Sequence, residues 1–83
     1  SGFDAEAVIA VYEEAIKRDS ARADITYNLG VIHAKAKRWT DAVAQFDRSL
    51  AADSTYSAAK TAIAEVERIL ESEDTQILKL KRP

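Results

Sequence analysis

The chain has 83 residues, no cysteine and a formal net charge of −2. This length fits one small domain, which buries only about 60% of the surface of its unfolded chain. The small net charge gives no general attraction to nucleic acid or an anionic membrane, and the lack of cysteine excludes a disulfide framework and a thiolate metal site. No apolar run approaches the roughly 20 residues that span a bilayer. We therefore expect no nucleic-acid partner, no membrane insertion and, by default, a cytoplasmic location.

The first predicted helix covers residues 4–18. Asp4 is a favourable N-cap, and Lys17 and Arg18 in the last turn suit the helix dipole. Ser1 and Gly2, which precede this helix, resemble the remnant of a cleaved purification tag.

The second and third predicted helices cover residues 23–37 and 40–52. Each carries an apolar stripe at helical spacing, so the two stripes are expected to cover each other. The stripes consist of Ile25, Leu29, Ile32 and Ala36 in the second helix, and of Val43, Phe46 and Leu50 in the third.

Small residues lie where these two helices would approach each other, at Gly30 and Ala42. A glycine inside an exposed helix costs roughly 1 kcal/mol relative to alanine, so Gly30 indicates contact with a neighbouring helix. Trp39 is expected to close the end of the pair. Thr40 is predicted as the N-cap of the third helix, with Asp41 in its first turn.

The fourth predicted helix covers residues 56–72. Its apolar stripe is narrow, with charged residues outside it, which is typical of a helix that caps the end of an array. The stripe consists of Tyr56, Ala59, Ile63, Val66 and Leu70.

Residues 74–83 form a predicted C-terminal tail, in which apolar residues alternate loosely with basic ones. Three interpretations remain open: a disordered end, a segment folded back over the last helix, or an extended strip that pairs with another chain. The apolar members are Ile77, Leu78 and Leu80, and the basic members are Lys79, Lys81 and Arg82.

Several positions recur after about 34 residues, a period that indicates a helical repeat. Leu29-Gly30 is echoed by Ile63-Ala64. The apolar positions of the first helix, Val8, Ile9, Val11, Tyr12, Ala15 and Ile16, fall on Ala42, Val43, Gln45, Phe46, Ser49 and Leu50.

Residues 23–56 resemble the tetratricopeptide repeat, a helix-turn-helix unit of about 34 residues. The resemblance rests on Leu29-Gly30, Ala42 and Phe46, with Asn28 before the Leu-Gly pair. The chain departs from the family pattern where the family has Trp, Tyr, Gly, Ala and Pro; these positions are Thr26, His33, Lys37, Ser49 and Ser54.

The resemblance implies an all-α, antiparallel helix-turn-helix array, a fragment of an α-solenoid with about one and a half repeats and a capping helix. The helical domain then spans residues 3–73. It divides into a half repeat at 3–22, a full repeat at 23–56 and a capping helix at 57–73.

Residues that could carry chemistry are sparse. His33 is the single histidine, and it occupies a place where the family packs a tyrosine, which favours a packing or edge hydrogen-bonding role over catalysis or metal binding. The two glycines, Gly2 and Gly30, cannot form a phosphate-binding loop. We expect no enzyme activity, no catalytic residue, no metal site and no cofactor.

The resemblance implies a scaffold or adaptor in which the first helix of each repeat lines a concave groove that binds a partner peptide or protein. The alternative is that Tyr27 and Val31 merely pack against neighbouring helices. A carboxylate clamp using Asn28 is disfavoured, because it needs basic residues where this chain has Ala58 and Ala62. By positional match, the groove residues are Asp24, Tyr27, Asn28, Val31, Ala34 and Lys35 of the second helix, and Ala58, Thr61, Ala62 and Glu65 of the fourth.

Self-assembly is the alternative function. A helix that begins a chain as the second half of a repeat would expose the apolar face that its partner helix normally covers, and a homodimer could bury that face or use the tail. The residues of this face are Val8, Val11, Tyr12 and Ala15.

Overall fold

A computed structural model describes residues 4–18 and 22–81, with side chains described as far as Glu73. Within these ranges the chain forms four α-helices and no strand: α1 (Ala5–Arg18), α2 (Ala23–Lys35), α3 (Trp39–Ala52) and α4 (Ser57–Lys81). The predicted all-α architecture is confirmed. The predicted tag remnant at residues 1–2 lies outside the described residues.

Helix α1 begins as the sequence predicts. The backbone N–H of Ala7 donates to Asp4 Oδ1 at 3.2 Å, so Asp4 satisfies a backbone donor that the helix leaves unpaired. Ile9 is buried, and α1 packs on α2. An ion pair between Arg38 and Glu6 joins the start of α1 to the turn that follows α2, so α1 and α2 run antiparallel.

Helices α2 and α3 form an antiparallel hairpin with the most extensive contact in the fold. At one end, Ser49 Oγ near the end of α3 donates to the Ala23 carbonyl at the start of α2, at 2.7 Å. Thr26 Oγ1 donates to the same carbonyl at 3.1 Å. Ser49 and Thr26 are buried, and their hydroxyls therefore have partners where unpaired ones would be costly.

The turn between α2 and α3 closes through a left-handed residue at Lys37, whose φ is 61°. The N–H of Lys37 donates to the Ala34 carbonyl and the N–H of Arg38 to the His33 carbonyl, both at 2.9 Å. This pair of bonds is the Schellman arrangement, in which glycine is the usual left-handed residue. Lys37 therefore adopts the conformation of the glycine that it replaces in the family pattern.

Helix α3 begins one residue earlier than predicted, and Thr40 is not its N-cap. The N-cap is Arg38, whose side chain makes no capping hydrogen bond. The Arg38 carbonyl already accepts from the N–H of Ala42 at 2.9 Å. Thr40 consequently lies inside the first turn, because the tight turn at Lys37 leads directly into the helix.

The centre of the hairpin is the contact between Gly30 and Phe46. Both residues are buried, and Leu29 and Ala42 beside them are buried as well. A Cβ atom added to Gly30 would lie 2.6 Å from Phe46 Cδ1 and 3.0 Å from Cζ. The predicted role of Gly30 as a contact point for the neighbouring helix is therefore confirmed.

Helix α4 packs mainly on α3 and touches α2. Its buried residues are Ala59 and Val66, with Tyr56 half-buried before its first turn. Leu70, predicted to lie on the packed stripe, is 38% exposed, whereas Ile69 is half-buried.

The backbone of α4 continues through Lys81, nine residues beyond the predicted end at Ser72. Residues 74–81 therefore extend the helix instead of starting a separate tail. No glycine or proline interrupts the chain between Ser72 and Pro83, and most residues in between have good helix propensity. None of the described helices is both long and apolar enough to cross a membrane.

Gly30→Ala is expected to destabilise the domain although alanine has the higher helix propensity. The propensity gain of about 1 kcal/mol is outweighed by the overlap with the Phe46 ring, since overpacking costs about 1–3 kcal/mol. Thermal unfolding followed by circular dichroism measures the net change in the free energy of unfolding. The same substitution made together with Phe46→Leu is the control: if Gly30→Ala costs as much in that background, the Phe46 contact is not the cause.

Lys37→Gly is expected to stabilise the domain by about 0.5–1 kcal/mol. It removes the strain of a left-handed non-glycine residue, about 1–2 kcal/mol, and loses part of that gain through the greater freedom of glycine in the unfolded chain. Urea unfolding measures the change. Lys37→Ala keeps a Cβ atom and removes the charge, so a gain of equal size in that variant would show that charge, and not backbone conformation, is responsible.

Candidate functional site

An apolar depression, which we call the α2–α4 groove, is lined by residues of α2, α3 and α4. Its volume is about 300 Å³. Trp39 and Phe46 of α3 contribute to its lining, and its rims are the last turn of α2 and the middle of α4. The lining residues are Val31, Ala34 and Lys35 of α2, Trp39 and Phe46 of α3, and Ala62, Glu65, Val66 and Ile69 of α4.

The groove is apolar because most of the residues that line it from the two rim helices are apolar and share one face of their helix. Ala34 and Lys35 lie three and four residues after Val31 along α2, and Ala62 and Val66 are four apart on α4. Residues at this spacing share one face of a helix. Small alanine side chains on both rims leave space between the helices.

Charged groups occur only at the edge of the α2–α4 groove. Lys35 and Glu65 are exposed and belong to opposite rims. Glu65 forms an ion pair with Arg68 on its own helix, and the hydrogen bond from that guanidinium to Glu65 raises the pKa of Arg68 above its ordinary value.

Five of the predicted groove residues lie together in this structure. Lining the α2–α4 groove are Val31, Ala34, Lys35, Ala62 and Glu65. Asn28 and Thr61 are exposed on α2 and α4, but they are not part of the groove lining. The groove therefore lies nearer the C-terminal end of α2 than the predicted residue set implied, and binding at this face stays a prediction.

Tyr27 packs into the core instead of lining the groove. Its ring centroid lies 5.6 Å from that of Phe46 and 5.6 Å from that of Tyr56, with tilted planes. Aromatic pairs at this distance contribute to stability beyond the area they bury. Of the two functions weighed for Tyr27, this geometry supports packing between α2, α3 and the start of α4.

Asp24 is engaged by its neighbour. Arg22 Nε and Nη2 donate to the two carboxylate oxygens of Asp24 at 3.0 Å and 2.7 Å. These hydrogen bonds lower the pKa of the Asp24 carboxyl, with a further contribution from the Ile25 N–H. A partner that used Asp24 would compete with this bidentate pair.

Four residues that line the groove were not predicted as groove residues. Trp39 was expected to close the end of the hairpin, Phe46 and Val66 were expected on packed apolar stripes, and Ile69 was not singled out. The signal available was spacing: Ile69 lies three residues after Val66 and seven after Ala62, so these three residues share one face of α4.

The predicted self-association face of α1 is partly covered. Val8, Tyr12 and Ala15 are half-buried, whereas Val11 is 69% exposed. The stripe that includes Ile9 faces α2, and Val11 lies outside that stripe. One large apolar side chain of this face therefore reaches solvent.

A second depression of about 450 Å³ separates α1 from α3. It is larger than the α2–α4 groove, but charged side chains form much of its wall, among them Glu14 and Lys17, which pair with each other at 3.2 Å. Gln45 Oε1 is buried there without a hydrogen-bond partner among the described residues. Because its walls are charged and exposed, this depression offers less apolar area to a partner.

His33 is buried at the turn end of the hairpin, and its Nδ1 lies 4.0 Å from Asp41 Oδ2. That distance is too long for a hydrogen bond, and Nδ1 has no partner among the described residues. The described part of the chain contains no group of three or more His, Cys, Asp or Glu residues placed to hold a metal ion.

Comparison with protein-family models gives a match to the tetratricopeptide repeat over residues 5–57. Comparison with curated proteins and with solved structures gives no match. The matched range covers α1, α2, α3 and the start of α4, and it includes the Gly30–Phe46 contact. Repeats of this family generally mediate protein–protein interaction and are typically not enzymes. The chain therefore belongs to the tetratricopeptide repeat family.

Proposed function

We propose that this domain is an interaction scaffold that binds a segment of a partner protein in the α2–α4 groove. The observation that carries the proposal is the apolar lining of the groove, with charged groups only at its edge. Apolar surface that remains open to water in a folded domain marks a place where a partner gains affinity by covering it.

The size of the groove indicates what it would hold. Sites for small molecules commonly range from about 300 to 1,000 Å³, and this groove lies at the lower limit of that range. It therefore suits one or two apolar side chains of a polypeptide better than a whole ligand. Burial of one such side chain contributes about 1.5–3 kcal/mol, so the rest of the affinity must come from contacts along the two rims.

The rims supply such contacts over a longer surface. Asn28 and Thr61 are exposed on the two rim helices, and a segment that enters the groove beside Val31 could extend toward them. Under this proposal, Asn28 and Thr61 are peripheral contacts, whereas Tyr27 acts from within the core by holding Phe46 and Tyr56.

Self-association is the second candidate function, and the exposure of Val11 favours it. A dimer formed through α1 would have to cover Val11 and the exposed edges of Val8, Tyr12 and Ala15. The half-burial of these three residues against the domain leaves a smaller apolar face than the sequence predicted. The cytoplasmic location and the lack of a nucleic-acid partner stay predictions.

Selection from a random-peptide display library tests the groove. We expect recovered peptides to contain large apolar residues, and we expect Ala62→Arg to weaken their binding at least tenfold, because the new side chain fills the groove. Ala64→Arg is the matched control, since Ala64 is an exposed residue of α4 outside the groove. Circular dichroism checks that both variants stay folded.

If the selected peptides bind the two arginine variants equally well, the groove is not the binding surface. Recovery of no peptide above background would also contradict the proposal.

Light scattering at high protein concentration tests self-association. If α1 forms the interface, we expect a dimer mass that Val11→Glu converts to a monomer mass. Ala10→Glu, a change at the neighbouring exposed position of α1, is the matched control for added charge. A monomer mass for the unmodified chain would exclude this second function.

A further inference from the structure

We propose that the α2–α4 groove selects partner segments in which a large apolar side chain is accompanied by an aspartate or glutamate that pairs with Lys35. This inference rests on the proposed function, because it names the chemistry of the segment that the groove binds. The groove itself distinguishes apolar from polar side chains, whereas the charge at its edge determines which flanking residues are favoured.

The charged side chains around the groove differ in whether they have an ion-pair partner. Glu65, the only carboxylate in the described lining of the groove, pairs with Arg68 on its own helix. Arg38, which follows α2 in the turn, pairs with Glu6 of α1. Lys35 has no carboxylate partner among the described residues and is exposed at the edge of the groove.

The carbonyl groups at the C-terminus of α2 do not fully neutralise the positive charge of Lys35. A helix C-terminus attracts cations through its unpaired carbonyl groups. Here the carbonyls of His33 and Ala34 accept from the backbone N–H groups of Arg38 and Lys37, and the Ile32 carbonyl accepts from the N–H of Ala36 at 3.2 Å. The ammonium group of Lys35 is therefore available to a ligand.

The apolar wall beside Lys35 strengthens such a pair. Val31 and Ala34 lie next to Lys35 on the same rim, and a bound segment would exclude water from this corner. An ion pair that is partly shielded from solvent is less screened by salt than one on an open surface. A carboxylate held close to an apolar anchor therefore gains more here than at the exposed lysines elsewhere on the chain.

The spacing of the acidic residue follows from the conformation of the bound segment. In an extended segment, side chains on one face are two positions apart in sequence, which is about 7 Å along the chain. In a helical segment, neighbouring residues on one face are three or four positions apart. We therefore expect Asp or Glu two to four residues from the apolar anchor.

Parallel display selections on the unmodified domain and on Lys35→Glu test this inference. We expect groove-bound peptides from the unmodified domain to be enriched in Asp and Glu near the anchor, and those from Lys35→Glu to be enriched in Lys and Arg. Replacing the acidic residue of a synthetic peptide by its amide, Asp by Asn or Glu by Gln, is expected to weaken binding to the unmodified domain. The expected loss is about two- to fivefold at low salt and smaller at high salt. Lys60→Glu, on an exposed position of α4 outside the groove lining, is the matched control.

The outcomes separate the two proposals. Peptides that are sensitive to Ala62→Arg but show no acidic enrichment, or the same enrichment on Lys35→Glu, would overturn the inference and leave the groove as the binding site. Peptides that are insensitive to Ala62→Arg, or no peptides at all, would overturn both. Acidic enrichment that Lys60→Glu reverses as strongly as Lys35→Glu would show a general charge effect and would also overturn the inference.

Discussion

Helices α2 and α3 approach each other closely because residue 30 has no side chain and the Phe46 ring occupies the space that one would need. The position of Phe46 then determines the position of its neighbours. Tyr27 packs on Phe46 and on Tyr56, so the aromatic contact passes from the hairpin to the start of α4. Phe46 also lines the α2–α4 groove. A single close approach of two helices thus connects the core, the placement of the last helix and the candidate site.

The hairpin is held at both ends by residues that depart from the family pattern. Ser49 and Thr26 donate to one backbone carbonyl, that of Ala23, at the open end. Lys37 adopts a left-handed conformation at the turn end. Ser49 and Thr26 place buried hydroxyls where the family pattern has the side chains of Ala and Trp. These buried hydroxyls are tolerated because each has a hydrogen-bond partner. Lys37 completes the same turn as glycine would, at a cost in strain. The departures therefore change how the ends are stabilised and leave the path of the backbone intact.

The apolar character of the candidate site comes from side chains that the packing of α2, α3 and α4 leaves accessible. Alanine on both rims and aromatic rings from α3 produce an apolar depression, while the carboxylate at its edge is paired within α4. Under our proposal, this site recognises a partner by shape, apolar burial and the charge of Lys35. This chemistry agrees with the general role of the repeat family in protein–protein interaction.

The sequence by itself determined the presence and order of the four described helices and the contact point at Gly30, because helical periodicity and a costly glycine are local signals. It placed the end of α4 nine residues too early. It also identified Val31, Lys35 and Glu65 as members of one face. Tertiary structure decided which aromatic residues fill the core and which line the groove: Tyr27 is drawn inward by Phe46 and Tyr56, and Ile69 replaces Leu70 on the inner face of α4. It also decided that, among the described residues, Glu65 has an ion-pair partner and Lys35 has none, because ion pairing depends on the positions of neighbouring side chains, which periodicity does not specify.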